Sequence, residues 1–153
     1  MDASHYRDLA DELKAYGLSS RALTWAPPHG DTVEMVEVGQ YWDAVRAPVE
    51  IGERALELLG AATGAVIADY AQMYWLLAPG SAQYWRRLPQ VRALGAAPTS
   101  YMGVPAIGHT GGPVLHWRIP LGPDRYLTDS PLLRGALAQA VAAELGTDRE
   151  VGR

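Results

Sequence analysis

The chain has 153 residues, of which 48% are hydrophobic and 20% charged, with a mean hydropathy of -0.08 and a net charge of -4. These values fit one globular domain large enough to bury a proper core, and no apolar run approaches the roughly 20 residues needed to cross a bilayer. The absence of cysteine excludes disulfides, zinc–thiolate centres and thiol nucleophiles. Residues 1–17 lack the basic stretch and apolar run of a secretory signal, so the sequence predicts a cytoplasmic protein.

Taken in chain order, residues 4–16 read as an amphipathic helix, with Ser4 as N-cap, Tyr6, Leu9, Leu13 and Tyr16 on one face, and Gly17 as the stop. Residues 22–26 form a short apolar run ended by Pro27 and Pro28, which suits a strand. Residues 32–38 are rich in β-branched side chains and predict a half-exposed strand forming a hairpin with the first. Residues 39–47 predict a short helix stopped by Pro48, and residues 49–59 a second one whose apolar face is Ile51, Ala55, Leu58 and Leu59.

Residues 65–68 and 73–77 are continuous apolar runs, the pattern of strands buried on both faces. Residues 81–87 predict one or two helical turns, and residues 91–94, 101–104 and 114–119 are further strand candidates separated by Gly- and Pro-rich loops. The last helix starts with Ser130 as cap and Pro131 at its first position, carries a stripe of Leu132, Leu133, Leu137, Val141 and Leu145, and stops at Gly146. The expected fold is therefore α+β, with a mainly antiparallel sheet of six or seven short strands and three or four helices. Residues 1–146 make one domain and residues 147–153 a flexible tail.

Few constellations carry chemistry. His5 and His29 fall on a helix and in a turn. His109 sits in a Gly-rich loop and His116 in a strand, seven positions apart, which is no standard zinc spacing. Two-metal phosphoryl transfer needs clustered carboxylates, yet Asp69 is the only acidic residue between Thr63 and Pro123. Asp43 and Arg46, three apart on the expected short helix, read as a surface pair. The Thr-Gly-Gly at 110–112 and the Gly-Pro pairs do not make a phosphate loop, which needs Gly-x4-Gly-Lys-Ser/Thr after a strand. Trp42, Trp75, Trp85 and Trp117 are read first as core residues, since each ring can bury on the order of 200 Å². An acidic chain is a poor non-specific nucleic-acid binder, and its nearest approach to a basic cluster, Arg86, Arg87 and Arg92, reads as a solvated face.

Residues 63–119 hold a cadence of short aromatic runs, MYWLLAPGSAQYW, LPQVRALG and SYMGVPA, followed by HTGG and LHWRIP. This stretch resembles the later part of bifunctional DNA primase/polymerase N-terminal domains (prim-pol domains), especially actinobacterial ones, and residues 9–27 more loosely resemble their opening helix and strand. The family's strand of paired acids corresponds to GAVIADYA, where Asp69 is followed two positions on by Ala71. Gln72 stands where the family's catalytic histidine would be. The resemblance implies a shortened relative that keeps the scaffold and has lost the metal site.

The resulting expectation is a non-catalytic, prim-pol-like binding protein for a protein partner or a nucleotide-like ligand, without cofactor or metal. Its candidate pocket is Asp69, His109, His116, Trp117 and Arg118. Two alternatives stay open: a small enzyme using His116 as general base, and an assembly protein with a homo-oligomeric interface.

Overall fold

The computed structural model describes residues 20–151, so the helix expected over residues 4–16 lies outside the described residues. The chain forms α1 (Ser20–Thr24), β1 (Glu34–Glu37), β2 (Asp43–Pro48), α2 (Val49–Leu59), β3 (Val66–Asp69), β4 (Gln72–Leu77), β5 (Arg92–Leu94), β6 (Tyr101–Val104), β7 (His116–Ile119) and α3 (Ser130–Val151). Short 3-10 turns cover Gly60–Ala62 and Ser81–Tyr84. The fold is α+β, and every strand pairing is antiparallel. No helix among the described residues is long and apolar enough to cross a membrane.

Five strands make the central sheet in the order β5-β2-β4-β3-β7, and β1 and β6 make a separate two-stranded sheet. Strand alternation sends successive side chains to opposite faces, and here both faces are covered. On one side Val45, Val66, Met73, Trp75 and Leu77 pack against Ile51 and Ala55 of α2 and Leu133 and Leu137 of α3. On the other side Ala44, Ile67, Leu76 and Trp117 meet Val36, Met102 and Val104 of the small sheet. The result is three layers: helices, central sheet and two-stranded cover. This is why the runs at 65–68 and 73–77 show no polar alternation.

Trp42, Trp75 and Trp117 are fully buried, as expected of core aromatics. The Trp75 indole N–H donates to Thr63 Oγ1 at 3.2 Å, and that of Trp117 donates to the Pro105 carbonyl at 3.1 Å. Buried rings of this kind cost about 3–5 kcal/mol when truncated to Ala.

Four expectations are corrected. Residues 22–24 lie in α1 rather than a strand, and no hairpin joins that segment to β1. Instead β1 pairs with β6, with Val36 opposite Met102, because only that pairing buries Val36, Met102 and Val104 together. The segment at residues 39–47 is not a helix. Its second half enters β2, where Ala44, Val45 and Ala47 are all buried because both sheet faces are covered. Its alternation puts Asp43 and Arg46 on opposite faces, so they do not form the expected pair.

At α3 the cap is Asp129, whose Oδ2 accepts the Leu132 N–H at 2.9 Å, rather than Ser130. The helix also continues through Gly146 to Val151. One glycine costs only about 1 kcal/mol relative to Ala, too little to end a run so rich in Ala, Leu and Glu.

Gly64 marks the closest approach between β3 and the segment before α3. Its N–H donates to Thr128 Oγ1 at 2.8 Å. A Cβ there would stand 2.5 Å from the Tyr126 carbonyl oxygen and 2.8 Å from the Leu127 carbonyl carbon, both backbone atoms that cannot swing aside. Gly64→Ala is therefore expected to destabilise the protein by about 3 kcal/mol, the upper end of overpacking costs. The check is the urea midpoint, read at unchanged slope.

Candidate functional site

The two-stranded cover is smaller than the sheet beneath it. Along one row of the sheet, Arg92 stands opposite Arg46, Arg46 opposite Tyr74, and Tyr74 opposite Ile67. Ile67 lies in the core under the cover. The arginine end of the row instead lines a cavity of about 650 Å³. Its walls include Met35 of β1, Tyr101 of β6 and Leu115 before β7, and the loop from Gly95 to Ser100 closes one side. Met35 and Tyr101 are 63% and 62% exposed, so an apolar wall faces a charged floor.

The polar groups of this cavity are unusually free. Among the described residues the ion pairs are Arg54–Glu144 at 2.6 Å and Arg118–Glu53 at 2.9 Å, and neither involves Arg46 or Arg92. Ser100 Oγ is buried with no hydrogen-bond partner. The Ser100 carbonyl, by contrast, accepts the Val38 N–H at 2.9 Å and so pins the loop. Arg46 and Arg92 also border an adjoining cavity of about 630 Å³ with Arg87.

The five residues singled out from sequence do not share one pocket. Asp69, at the end of β3, lines the cavity just described. His116 and Arg118 lie on the helix side of the sheet, in a shallow groove with Glu50 and Glu53 of α2. Arg118, two positions from His116 on β7, shares its side by strand alternation, and the register bulges there: Val66 stands opposite Ile119 and Ile67 opposite Trp117, leaving Arg118 as the extra residue. Its guanidinium makes a two-pronged contact with Glu53, with Nε and Nη2 each at 2.9 Å, and this hydrogen bonding raises its pKa above the ordinary arginine value.

His116 Nδ1 lies 2.6 Å from the Val114 carbonyl. A carbonyl only accepts, so Nδ1 carries the proton and Nε2 is the free acceptor. Trp117 is wholly buried and unavailable to a ligand. His109 is exposed in its loop, tied through its backbone to Ala106 and Trp117. Among the described residues no group of three or more His, Asp or Glu side chains converges as a metal-holding cluster.

Sequence reasoning missed Arg46, Tyr74 and Ser100, and took Arg92 as part of a solvated face. Reading residues 43–48 as a strand would have put Arg46 on the face opposite Val45 and Ala47. The pairing with β5 would still have remained hidden.

One buried carboxylate lies beside this region. Asp43 is 2% exposed, its Oδ2 accepts the Ala82 N–H at 2.8 Å, and its Oδ1 is buried without a partner. Burial pushes its pKa up, and the backbone N–H groups of Ala82 and Gly80 and the charge of Arg21 only partly oppose this.

Set against known proteins, the chain matches no family model, no curated protein and no solved structure.

The Asp43 carboxyl gives a pH dependence with a defined sign. Its folded pKa lies above its unfolded one, so the favourable protonated form contributes at low pH, and that contribution is lost as pH rises through the folded value. Asp43→Asn keeps an acceptor for Ala82 and carries no charge. Relative to wild type it is expected to gain stability progressively from about pH 4 upward. Chemical denaturation of both proteins between pH 4 and 7 checks this, and a constant or shrinking difference would refute it.

Proposed function

We propose that this chain is a non-catalytic binding protein for a small nucleotide-like ligand, held in the cavity between the central sheet and its two-stranded cover. The observation that carries this reading is the pairing of a charged floor, Arg46 and Arg92, with an apolar wall of Met35, Tyr101 and Leu115 in one recess. A recess of about 650 Å³ is within the usual range for small-molecule sites, which are mainly apolar with a few placed polar groups. Tyr74, opposite Arg46, also lines the recess, and a tyrosine ring is the kind of surface on which bases stack.

The likeness of residues 63–119 to prim-pol domains supports the same ligand class. In this reading the chain keeps a nucleotide-shaped scaffold and binds without turning over, since among the described residues Asp69 is the one carboxylate that lines the cavity.

Titration of the labelled protein with nucleosides and mononucleotides tests the reading. Saturable amide shifts are expected around Tyr74, Tyr101 and Leu115. Tyr74→Ala is expected to weaken binding by about tenfold or more, the equivalent of one lost base stack. If no nucleoside or mononucleotide saturates these signals, the proposal fails.

A further inference from the structure

The floor of this cavity sets two like charges side by side with no ion-pair partner among the described residues. Arg46 and Arg92 are directly opposed across the β2–β5 ladder, and like charges in that position destabilise a sheet. Arg46 is half-buried, and neither guanidinium takes part in an ion pair among the described residues. The one carboxylate lining the cavity, Asp69, belongs to β3, two strands from β2 in the sheet order and two residues beyond the Ile67 that ends the arginine row.

Two further features point the same way. Ser100 Oγ, on the loop that closes the cavity, is a buried hydroxyl with nothing to bond. Arg87 joins Arg46 and Arg92 around the adjoining cavity, extending the positive surface. Opposed positions on an antiparallel pair are about 5 Å apart, so two guanidinium groups rising from them can both reach one small anion. Arginine forks match the oxygens of phosphate and carboxylate.

We infer that Arg46, Arg92 and Ser100 form an oxyanion subsite that anchors a phosphoryl or carboxylate group of the ligand. The inference rests on the reading of this cavity as the ligand site, and adds the group by which the ligand is held. A phosphoryl group brings three acceptor oxygens and close to two negative charges to the two guanidinium groups and the hydroxyl, against two oxygens and one charge for a carboxylate. The subsite therefore favours phosphoryl.

The test is thermal unfolding of the full chain in sodium phosphate, sodium acetate and sodium chloride at matched ionic strength, with Arg92→Gln and Ser100→Ala beside wild type. Phosphate is expected to raise the wild-type Tm above its value in chloride, with acetate giving a smaller rise. Arg92→Gln is expected to weaken apparent phosphate binding by at least about tenfold, as loss of a charge-assisted pair does. Its own Tm in chloride should equal or exceed that of wild type, because the like-charge opposition is gone. A purely structural arginine would lower that Tm instead.

Phosphate titration of the unmodified chain, followed at the amides of Arg92 and Ser100, gives the same answer without any variant. A larger response to acetate than to phosphate would support the subsite and assign it to carboxylates. Equal Tm values in chloride, acetate and phosphate, or an undiminished phosphate response in Arg92→Gln, would overturn it. Saturable phosphate binding without any nucleoside or mononucleotide shifts at Tyr74 and Leu115 leaves the subsite standing and removes the nucleotide-like reading. The reverse pattern removes the subsite alone.

Discussion

Burial of both faces of the β3–β4 hairpin is the constraint on which the rest of the molecule depends. Val66, Ile67, Leu76 and Leu77 are almost completely withdrawn from water, although alternation sends them to opposite sides. Neither side can be left open, so the chain supplies two covers of different kinds. α2 and α3 close one face, and the small β1–β6 sheet closes the other. Two of the three fully buried tryptophans, Trp75 and Trp117, sit one on each side, and each finds an oxygen for its indole N–H. A two-stranded cover is narrower than the five strands below it, and the recess over Arg46 and Arg92 is the space left uncovered.

The two faces also handle charge differently. On the helix side the arginines are matched: Arg54 with Glu144, Arg118 with Glu53, and Arg134 with the carbonyls of Arg86 and Arg87. Exposed pairs of this type contribute about 0–1 kcal/mol, so they tidy the surface more than they stabilise it. On the cavity side Arg46 and Arg92 have no ion-pair partner among the described residues.

Much of the architecture was legible in the sequence because it depends on local pattern. The continuous apolar runs of β3 and β4 and the Gly- and Pro-bounded strands β5 to β7 follow from periodicity and punctuation. Of the stripe expected on α2, Ile51, Ala55 and Leu59 are buried, whereas Leu58 is exposed and Leu56 is buried instead. The failures have one physical cause. For β2, Pro48 looked like a helix stop, whereas it is the last residue of a strand whose small apolar residues are buried by two covers at once. For residues 22–26, an apolar run beside two prolines looked like a strand, and its true role is to cap the second core, where Trp25 stacks on Tyr126 and meets Trp42 edge-on.

The recess was not legible at all, because its floor and walls come from β1 to β6, the loop before β6 and Leu115 ahead of β7. Long-range pairing assembles them, and no window of the sequence contains it. Asp69 alone of the residues picked from sequence borders that recess. His116 and Arg118, two apart on β7, both turn to the opposite face by strand alternation.

The sheet's two outer strands have a consequence for how copies of this chain can meet. One edge, β5, is three residues long and carries Arg92. The other, β7, is four residues long, is broken in register at Arg118 and is followed at once by Pro120, which has no N–H to offer. Short, charged, bulged and proline-ended margins are the devices that keep a sheet from recruiting a foreign strand. The central ladder therefore ends within the molecule, and association between copies along its margins would have to proceed through side-chain faces.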